Sequence, residues 1–403
     1  MTEQKEGPLT GYRALDLADS KGALCAKLLA DLGAEVIKIE KPEGDVSRNI
    51  PPFAGNESHP EKSLHFLFRN ANKFGITLNL ETSEGKTIFK RLVEKTDVLV
   101  EDFTPGYMKD LKLDYPSIKK INPGLIMASI TDFGQSGPYR DWKGSPIVHF
   151  AMSANMIDSG FPGEPPVNIP GTPAYDAVSM TTAISIVLSL YDRGGTGKGH
   201  YIDTSVHETA RLGLYPWKLM SYSYFGVSDA NTNMDRLGPT VYPVYPCKDG
   251  FVRMVILTPW QWEALVKLLG NPEVLNLSEW SDLMYRVVYY NDLYILMSEF
   301  TMNYTMQELF EAGHEAGVPI VPVNDVEGFA KSPHTRARGF FIDMDHPEAG
   351  SFQYPGPPYR LSETPFSIRR PAPCLGEHNE TVYCDELGFS KDELLALKRA
   401  KVV

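Results

Sequence analysis

Short apolar runs alternate with helical patterns through the first half of the chain. Arg13-Ala14-Leu15-Asp16-Leu17 reads as a strand. From Lys21 to Leu32, the residues Leu24, Ala26, Leu28, Leu29 and Leu32 recur near helical spacing, and Gly33 supplies a stop. Glu35-Val36-Ile37-Lys38-Ile39 is a second strand. Two strands joined by one helix predict a βαβ unit and a parallel sheet. The pattern repeats as a helix over 84–95 before the strand Asp97-Val98-Leu99-Val100. It repeats again as a short helix over 115–122 before the strand 125–130. Residues 156–172 are rich in Gly and Pro and read as a loop. Val178, Thr182, Ile186 and Leu190 then mark a helix from 174 that is expected to end at Gly194-Gly195. A strand over 200–203 and a helix over 205–214 follow.

The texture changes near Tyr222. Aromatic residues become dense, and residues 240–256 alternate like antiparallel strands around Lys248-Asp249-Gly250. Helices follow, one opened by a capping box from Thr305 to Glu308. Turn-rich segments after Val323 include Tyr354-Pro355-Gly356-Pro357-Pro358, and 391–400 reads as a terminal helix. The division expected is a large α/β domain over 1–222, a smaller α+β domain over 223–330, and a return segment over 331–403 that completes the large domain.

The 403 residues exceed one ordinary core, which agrees with two domains. The 51 Asp and Glu outnumber the 39 Lys and Arg, for a net charge of −12. Nucleic acid and anionic membrane surfaces would on average be repelled, so neither is expected as a partner. A local basic pocket for a small anion is still compatible. The polar start, Met1 to Glu6, lacks the apolar stretch of a secretory signal, and no apolar run approaches the ~18 residues of a membrane span. Four scattered cysteines (Cys25, Cys247, Cys374, Cys384) without a CxxC pair read as free thiols in a reducing cytoplasm.

Four tempting motifs fail. The turn after the first strand, Ala18-Asp19-Ser20-Lys21-Gly22-Ala23, lacks the GxGxxG that lets a backbone approach a pyrophosphate. Gly194 to Gly199 lacks a Ser or Thr after Lys198 and stands between helix and strand, the reverse of a phosphate loop. His207-Glu208 has no second His at zinc spacing, and no metal site is expected. Ser205-Val206-His207 is not a nucleophile elbow.

Another set of segments holds together. Leu29 to Glu40 precedes Gly44-Asp45-Val46-Ser47-Arg48, and Asn72-Lys73 precedes Ile76 to Leu80. Glu101-Asp102-Phe103-Thr104-Pro105-Gly106, Asn122-Pro123-Gly124 and Gly134-Gln135-Ser136-Gly137-Pro138 follow. Then come Tyr175-Asp176, Arg193 with Thr196 to Gly199, Gly317-Val318-Pro319, Arg338-Gly339-Phe340 and Leu375-Gly376-Glu377-His378. In this order and spacing the chain resembles the class III CoA-transferase family, which contains formyl-CoA and crotonobetainyl-CoA transferases. The resemblance implies a Rossmann-like parallel sheet in the large domain and an intertwined dimer. It also implies acyl-CoA and a small carboxylic acid as substrates.

The resemblance places the family's nucleophile on Asp176. Position alone is compatible with this but does not require it. Asp176 lies in the first turn of the predicted helix, after Thr172 as N-cap and Pro173 as first residue, where the helix dipole favours an ionised carboxylate. Acidic residues occupy first turns for that reason alone. The implied mechanism begins with attack of Asp176 on the donor thioester, giving a mixed anhydride and a CoA thiolate. The thiolate then takes the aspartyl carbonyl as a thioester, which the acceptor carboxylate attacks. Backbone N–H groups would carry the oxyanions, and water must be excluded. The three phosphate groups of CoA call for cations. By position Lys41, Arg48, Lys73, Lys109 and Lys143 are the candidates, with Asp102 at the site and Phe103 beside the adenine. His378 is expected to be structural.

Departures from the family narrow the reading. Ser145-Pro146 stands where many relatives carry an aromatic residue or His followed by an acid, and where the related acyl-CoA racemases carry a proton-shuttling His-Asp pair. His149 lies several positions on, so racemisation or epimerisation is the second reading. A non-catalytic partner subunit of a heteromeric transferase is the third, disfavoured by retention of Asp176. The glycine-rich loop of the formyl enzyme is absent; Arg236-Leu237-Gly238-Pro239 stands near its place. Asp110 follows Lys109 where some relatives have Arg. The aromatic residues Trp217, Tyr222, Tyr224, Phe225, Tyr242, Tyr245, Trp260 and Trp262 fit either the small domain's core or a wall for a bulky acid. Succinyl-CoA as donor and a benzylsuccinate-type acceptor are the specific expectation; carnitine-like or bile-acid-like acceptors fit equally.

Overall fold

The computed structural model describes residues 7–160, 164–214, 223 and 242–403. Trp217, Tyr222, Tyr224, Phe225 and the segment Arg236-Leu237-Gly238-Pro239 lie outside them. The described residues belong to two compact units. The larger is bounded by Met1–Met156, Asn168–Lys218 and Arg338–Val403, the smaller by Ile157–Val167 and Leu219–Ala337.

The larger unit is built on six strands: β1 (Arg13–Asp16), β2 (Glu35–Glu40), β3 (Phe74–Thr77), β4 (Val98–Glu101), β5 (Ile126–Thr131) and β6 (Tyr201–Ser205). All pair in parallel, in the order β3-β2-β1-β4-β5-β6. This is the order of doubly wound dinucleotide-binding folds, with its reversal between β1 and β4. Both faces are covered, because side chains alternate along each strand. Ala14, Val98, Val100, Ile126, Ala128 and Ile130 face one layer, with the helices Ala23–Asp31 and Pro173–Thr196. Leu15, Ile37, Ile76, Leu99 and Met127 face the other, with the helices Ser83–Val93 and Lys391–Arg399.

The long helix Pro173–Thr196 differs from expectation at its end. It runs through Gly194-Gly195 and stops at Gly197, which takes a left-handed φ of 68° while its N–H caps Arg193 O. Glycine in a helix costs only about 1 kcal/mol, and the left-handed position, not the first glycine, ends the helix. The helix has the length and apolarity of a membrane-crossing segment, but half of it is buried, on the sheet and beside the helices Ala23–Asp31 and Val206–Leu214.

The chain returns to this unit through residues that the family motifs had marked. Asn72, at φ 67°, donates to Asp31 Oδ1 (2.7 Å) and Ser367 O (2.8 Å), and accepts from the Arg369 and Arg370 N–H groups. Tyr383 donates to Thr77 O at 2.6 Å, and Gly75 N–H donates to His378 Nδ1 at 3.1 Å. The hairpin β10 (Phe341–His346) and β11 (Gly350–Pro355) stands where turns alone were expected.

The smaller unit carries the antiparallel strands β7 (Val244–Cys247), β8 (Gly250–Met254) and β9 (Ile320–Pro322), with Lys248-Asp249 turning between the first two. The helix Met306–Ala316 is opened by the Thr305–Glu308 capping box and closed by Gly317. Tyr245 and Trp262 are buried in this unit's core and Trp260 is exposed.

Candidate active site

Open parallel sheets bind ligands at the carboxyl ends of their strands, where the strand order reverses. The larger unit has a cavity of about 740 Å³ there. Its wall is made by the turns after β1, β2 and β4, by Leu78 and Leu80 after β3, and by Asp132 after β5. The volume is that of a small-molecule or cofactor site.

Asp102 shows why the first turn has no glycine fingerprint. Its carboxylate accepts the N–H groups of Asp19 (2.9 Å), Lys21 (3.0 Å) and Gly22 (3.1 Å). In a dinucleotide-binding fold the N–H groups of this turn would receive a pyrophosphate. Here an internal carboxylate takes them, so an anionic ligand must find its charge partners in side chains. Burial pushes the Asp102 carboxyl up, against the pull of Lys21. Asp19 fixes the turn after β2 in the same way, accepting from Val46 and Ser47 N–H at 3.1 Å.

Lys21, Lys41 and Lys143 line the cavity, with Phe103 and Tyr107 side by side at 4.6 Å between ring centroids. Of the cations expected from the sequence, Lys41 and Lys143 are therefore brought together. Lys109 lines a separate cavity of about 310 Å³ with Arg140, Tyr115 and Glu101. Arg48 and Lys73 are corrections to the expectation, because neither is in the cavity wall. Arg48 is 1% exposed and binds Glu40 through two nitrogens at 2.7 Å, Glu61 at 2.6 Å and Pro373 O at 3.0 Å. Lys73 is fully buried, and its three ammonium hydrogens serve Asp16, Ala23 O and Asn70 at 2.7–2.8 Å. Residue type and motif position marked them as phosphate ligands, but their donors are already used inside the fold.

Asp176 sits in the first turn of the helix Pro173–Thr196, next to Tyr175 of the cavity wall. Its side chain is 36% exposed. Oδ1 accepts from Arg69 Nη2 at 2.5 Å, and the same nitrogen donates to Thr172 Oγ1 at 2.9 Å. Ser179, one turn on, donates to Lys21 O at 2.8 Å and ties the helix to the turn after β1. Asp132 meets Lys21 Nζ at 3.6 Å and the fully buried His149 Nε2 at 3.1 Å. Burial alone would raise the Asp132 carboxyl, but His149, Lys21 and the Gly144 N–H hold it below the usual range. Gly144 is required here, since a Cβ would lie 2.2 Å from His149 Nε2. His149 does not line the cavity.

Sequence reasoning missed Arg69 and Lys21. Lys21 stands in a turn inspected only for glycine. Arg69 lies 107 residues from Asp176, and nothing local announces the contact.

Residues 9–379 match CoA-transferase family III. The chain belongs to that family. It is 32% identical to succinyl-CoA–D-citramalate CoA-transferase of Chloroflexus aurantiacus over 98% of both chains. It is 28% identical to a subunit of succinyl-CoA:(R)-benzylsuccinate CoA-transferase of Thauera aromatica over 96% of both. A CaiB/BaiF family protein from Brucella suis has the same fold, with a TM-score of 0.85 at 30% identity over 95% of this chain and all of that one. The protein is thus a CoA-transferase, and the family's substrates are CoA thioesters.

His65 meets the Arg69 guanidinium, with Nδ1 at 3.3 Å from Nη1. Burial, then the charge of Arg69, lowers its pKa to about 4. The unfolded chain therefore takes up this proton from about pH 6.5 downward, and the folded chain only near pH 4. The stability that neutral His65 contributes is full above pH 6.5 and is lost between there and about pH 4. Urea denaturation at a series of pH values should show wild type losing stability relative to His65→Gln across that window. Parallel curves would contradict the assignment.

Proposed function

We propose that this CoA-transferase moves CoA from succinyl-CoA to a carboxylic acid through a thioester on Asp176. The observation that carries the reading is the position of Asp176. It is a partly exposed carboxylate on a helix N-terminus, one residue from the wall of a lysine-lined cavity at the sheet's switch point. Lys41 and Lys143 would meet the phosphates of CoA, and Phe103 its adenine. Asp102 would act through the turn it holds. The donor is supported by the names of the two relatives, and both of their acceptors are dicarboxylic acids. Benzylsuccinate is thus one acceptor to test, and citramalate another. The aromatic wall lends benzylsuccinate less support, because Tyr245 and Trp262 fill a core. The reading includes the cytoplasm, a reducing compartment in which four cysteines stay free.

The test is chromatography with mass detection of the purified protein, succinyl-CoA and a panel of acids, without ATP. New acyl-CoA species are expected for at least one acid. No transfer to any acid, together with no exchange of labelled succinate into succinyl-CoA, would sink the reading. Activity only on adding a second related subunit would favour the heteromer suggested by the Thauera relative. Exchange of the α-proton without acyl transfer would favour the racemase.

The reading also includes a homodimer. Met180, Ile184, Leu188 and Tyr191 form an exposed apolar stripe along the long helix, with Leu188 63% exposed. A soluble monomer rarely leaves such a stripe uncovered. Light scattering should give a dimer for wild type and a monomer for Ile184→Asp/Leu188→Asp. A monomeric wild type would contradict the stripe's assignment.

A further inference from the structure

The group that touches Asp176 is a buried cation whose charge must be balanced throughout the reaction. Arg69 is 8% exposed. Among the described residues Asp176 is its one ion-pair partner. Its other side-chain partners are the Thr172 hydroxyl and His65, which is neutral near pH 7 because burial and Arg69 itself lower its pKa to about 4. Acylation of Asp176 would remove the one negative charge that the described residues place on this guanidinium.

We propose that Arg69 is the carboxylate receptor of the reaction, passing from Asp176 to the acid substrate when Asp176 is acylated. This rests on the reading of Asp176 as nucleophile. The balance is simple. Aspartate plus acyl-CoA gives aspartyl-CoA thioester plus the free donor acid. The donor C–S bond breaks and an anhydride C–O bond forms. The thiolate then forms a C–S bond to the aspartyl carbonyl, and the anhydride C–O bond on that side breaks. No proton or electron is gained or lost. The negative charge leaves Asp176 and appears on the released carboxylate. A buried guanidinium disfavours losing its counter-ion, and its planar fork fits a carboxylate. The acid therefore takes the place that Asp176 vacates. The acceptor carboxylate binds there in turn, held beside the thioester carbonyl it attacks. In the resting enzyme Asp176 fills the receptor, so a free acid competes poorly until the thioester forms.

Arg69→Gln and Arg69→Lys test this with succinyl-CoA and isotopically labelled succinate as probes. Both variants should still form the hydroxylamine-trappable thioester on Asp176. The KM for succinate should rise about 100-fold in Arg69→Gln and about 10-fold in Arg69→Lys, with kcat changed much less. Methylguanidinium should restore part of the loss in Arg69→Gln. A succinate KM within about 3-fold of wild type in a folded Arg69→Gln protein overturns the proposal. So does loss of the thioester that methylguanidinium fails to restore. If wild type itself forms no thioester on Asp176, the underlying reading fails, and that result is distinct from either.

Discussion

Asp176→Ala should lower acyl exchange by at least about 10⁴-fold, the scale on which removal of a covalent nucleophile acts. The fold should survive. The Asp176 side chain is 36% exposed, so water reaches its side of the pair, and unpairing the buried Arg69 should cost less than the about 3–5 kcal/mol of a fully buried pair. Thermal melting would check this. Asp176→Glu separates charge from position: the carboxylate is retained but displaced by one methylene, and activity should fall about 100-fold or more. Equal activity in wild type and Asp176→Glu would mean that the carboxylate serves only as a charge. The prediction is sharp because other acids around the cavity are already committed. Asp102 and Asp19 hold backbone N–H groups, Glu40 holds Arg48, and Asp132 holds His149.

The second large effect concerns stability. Arg48→Met leaves the buried Glu40 without its main counter-ion, and Lys73→Met does the same to Asp16. Removing one partner of a buried ion pair costs about 3–5 kcal/mol, a large share of a typical domain's stability. Each variant should therefore denature at much lower urea than wild type. Lys73→Met/Asp16→Leu should recover most of the loss, since no buried charge is left unpaired. Lys143→Ala is the contrast. This exposed cavity lysine should change stability by less than about 0.5 kcal/mol and raise the KM for acyl-CoA several-fold. If Arg48→Met were as stable as wild type but bound CoA weakly, Arg48 would be a phosphate ligand after all.

The parts of the fold legible in the sequence were those with local causes. Val98-Leu99-Val100 reads as a strand because a parallel strand buried on both faces is apolar at every position. Thr305 and Glu308 announce a helix start because both halves of the cap lie within one turn. β3 was harder. Its Gly75 weakens the strand pattern, and the reason lies at the far end of the chain, where Pro373 would be 2.8 Å from a Cβ. The hairpin at 341–355 was hidden by Asp343 and Asp345, which are exposed on its outer face.

The site divides in the same way. Asp176 was found through a family motif, and its first-turn position was consistent with the role but not sufficient for it. Residue type could not reveal that Arg48 and Lys73 are spent inside the fold, because a lysine or arginine looks the same in sequence whether its partner is a phosphate or a carboxylate. Arg69 was invisible for a related reason: it and its partner are brought together only by tertiary packing of two distant helices.

The most direct measurement is peptide mass spectrometry of the protein incubated with succinyl-CoA and quenched with hydroxylamine. A hydroxamate on Asp176, formed only when the acyl-CoA is present and absent from Asp176→Ala, is the predicted result. Continued transfer of CoA between acids with that side chain never modified would contradict covalent catalysis at this position.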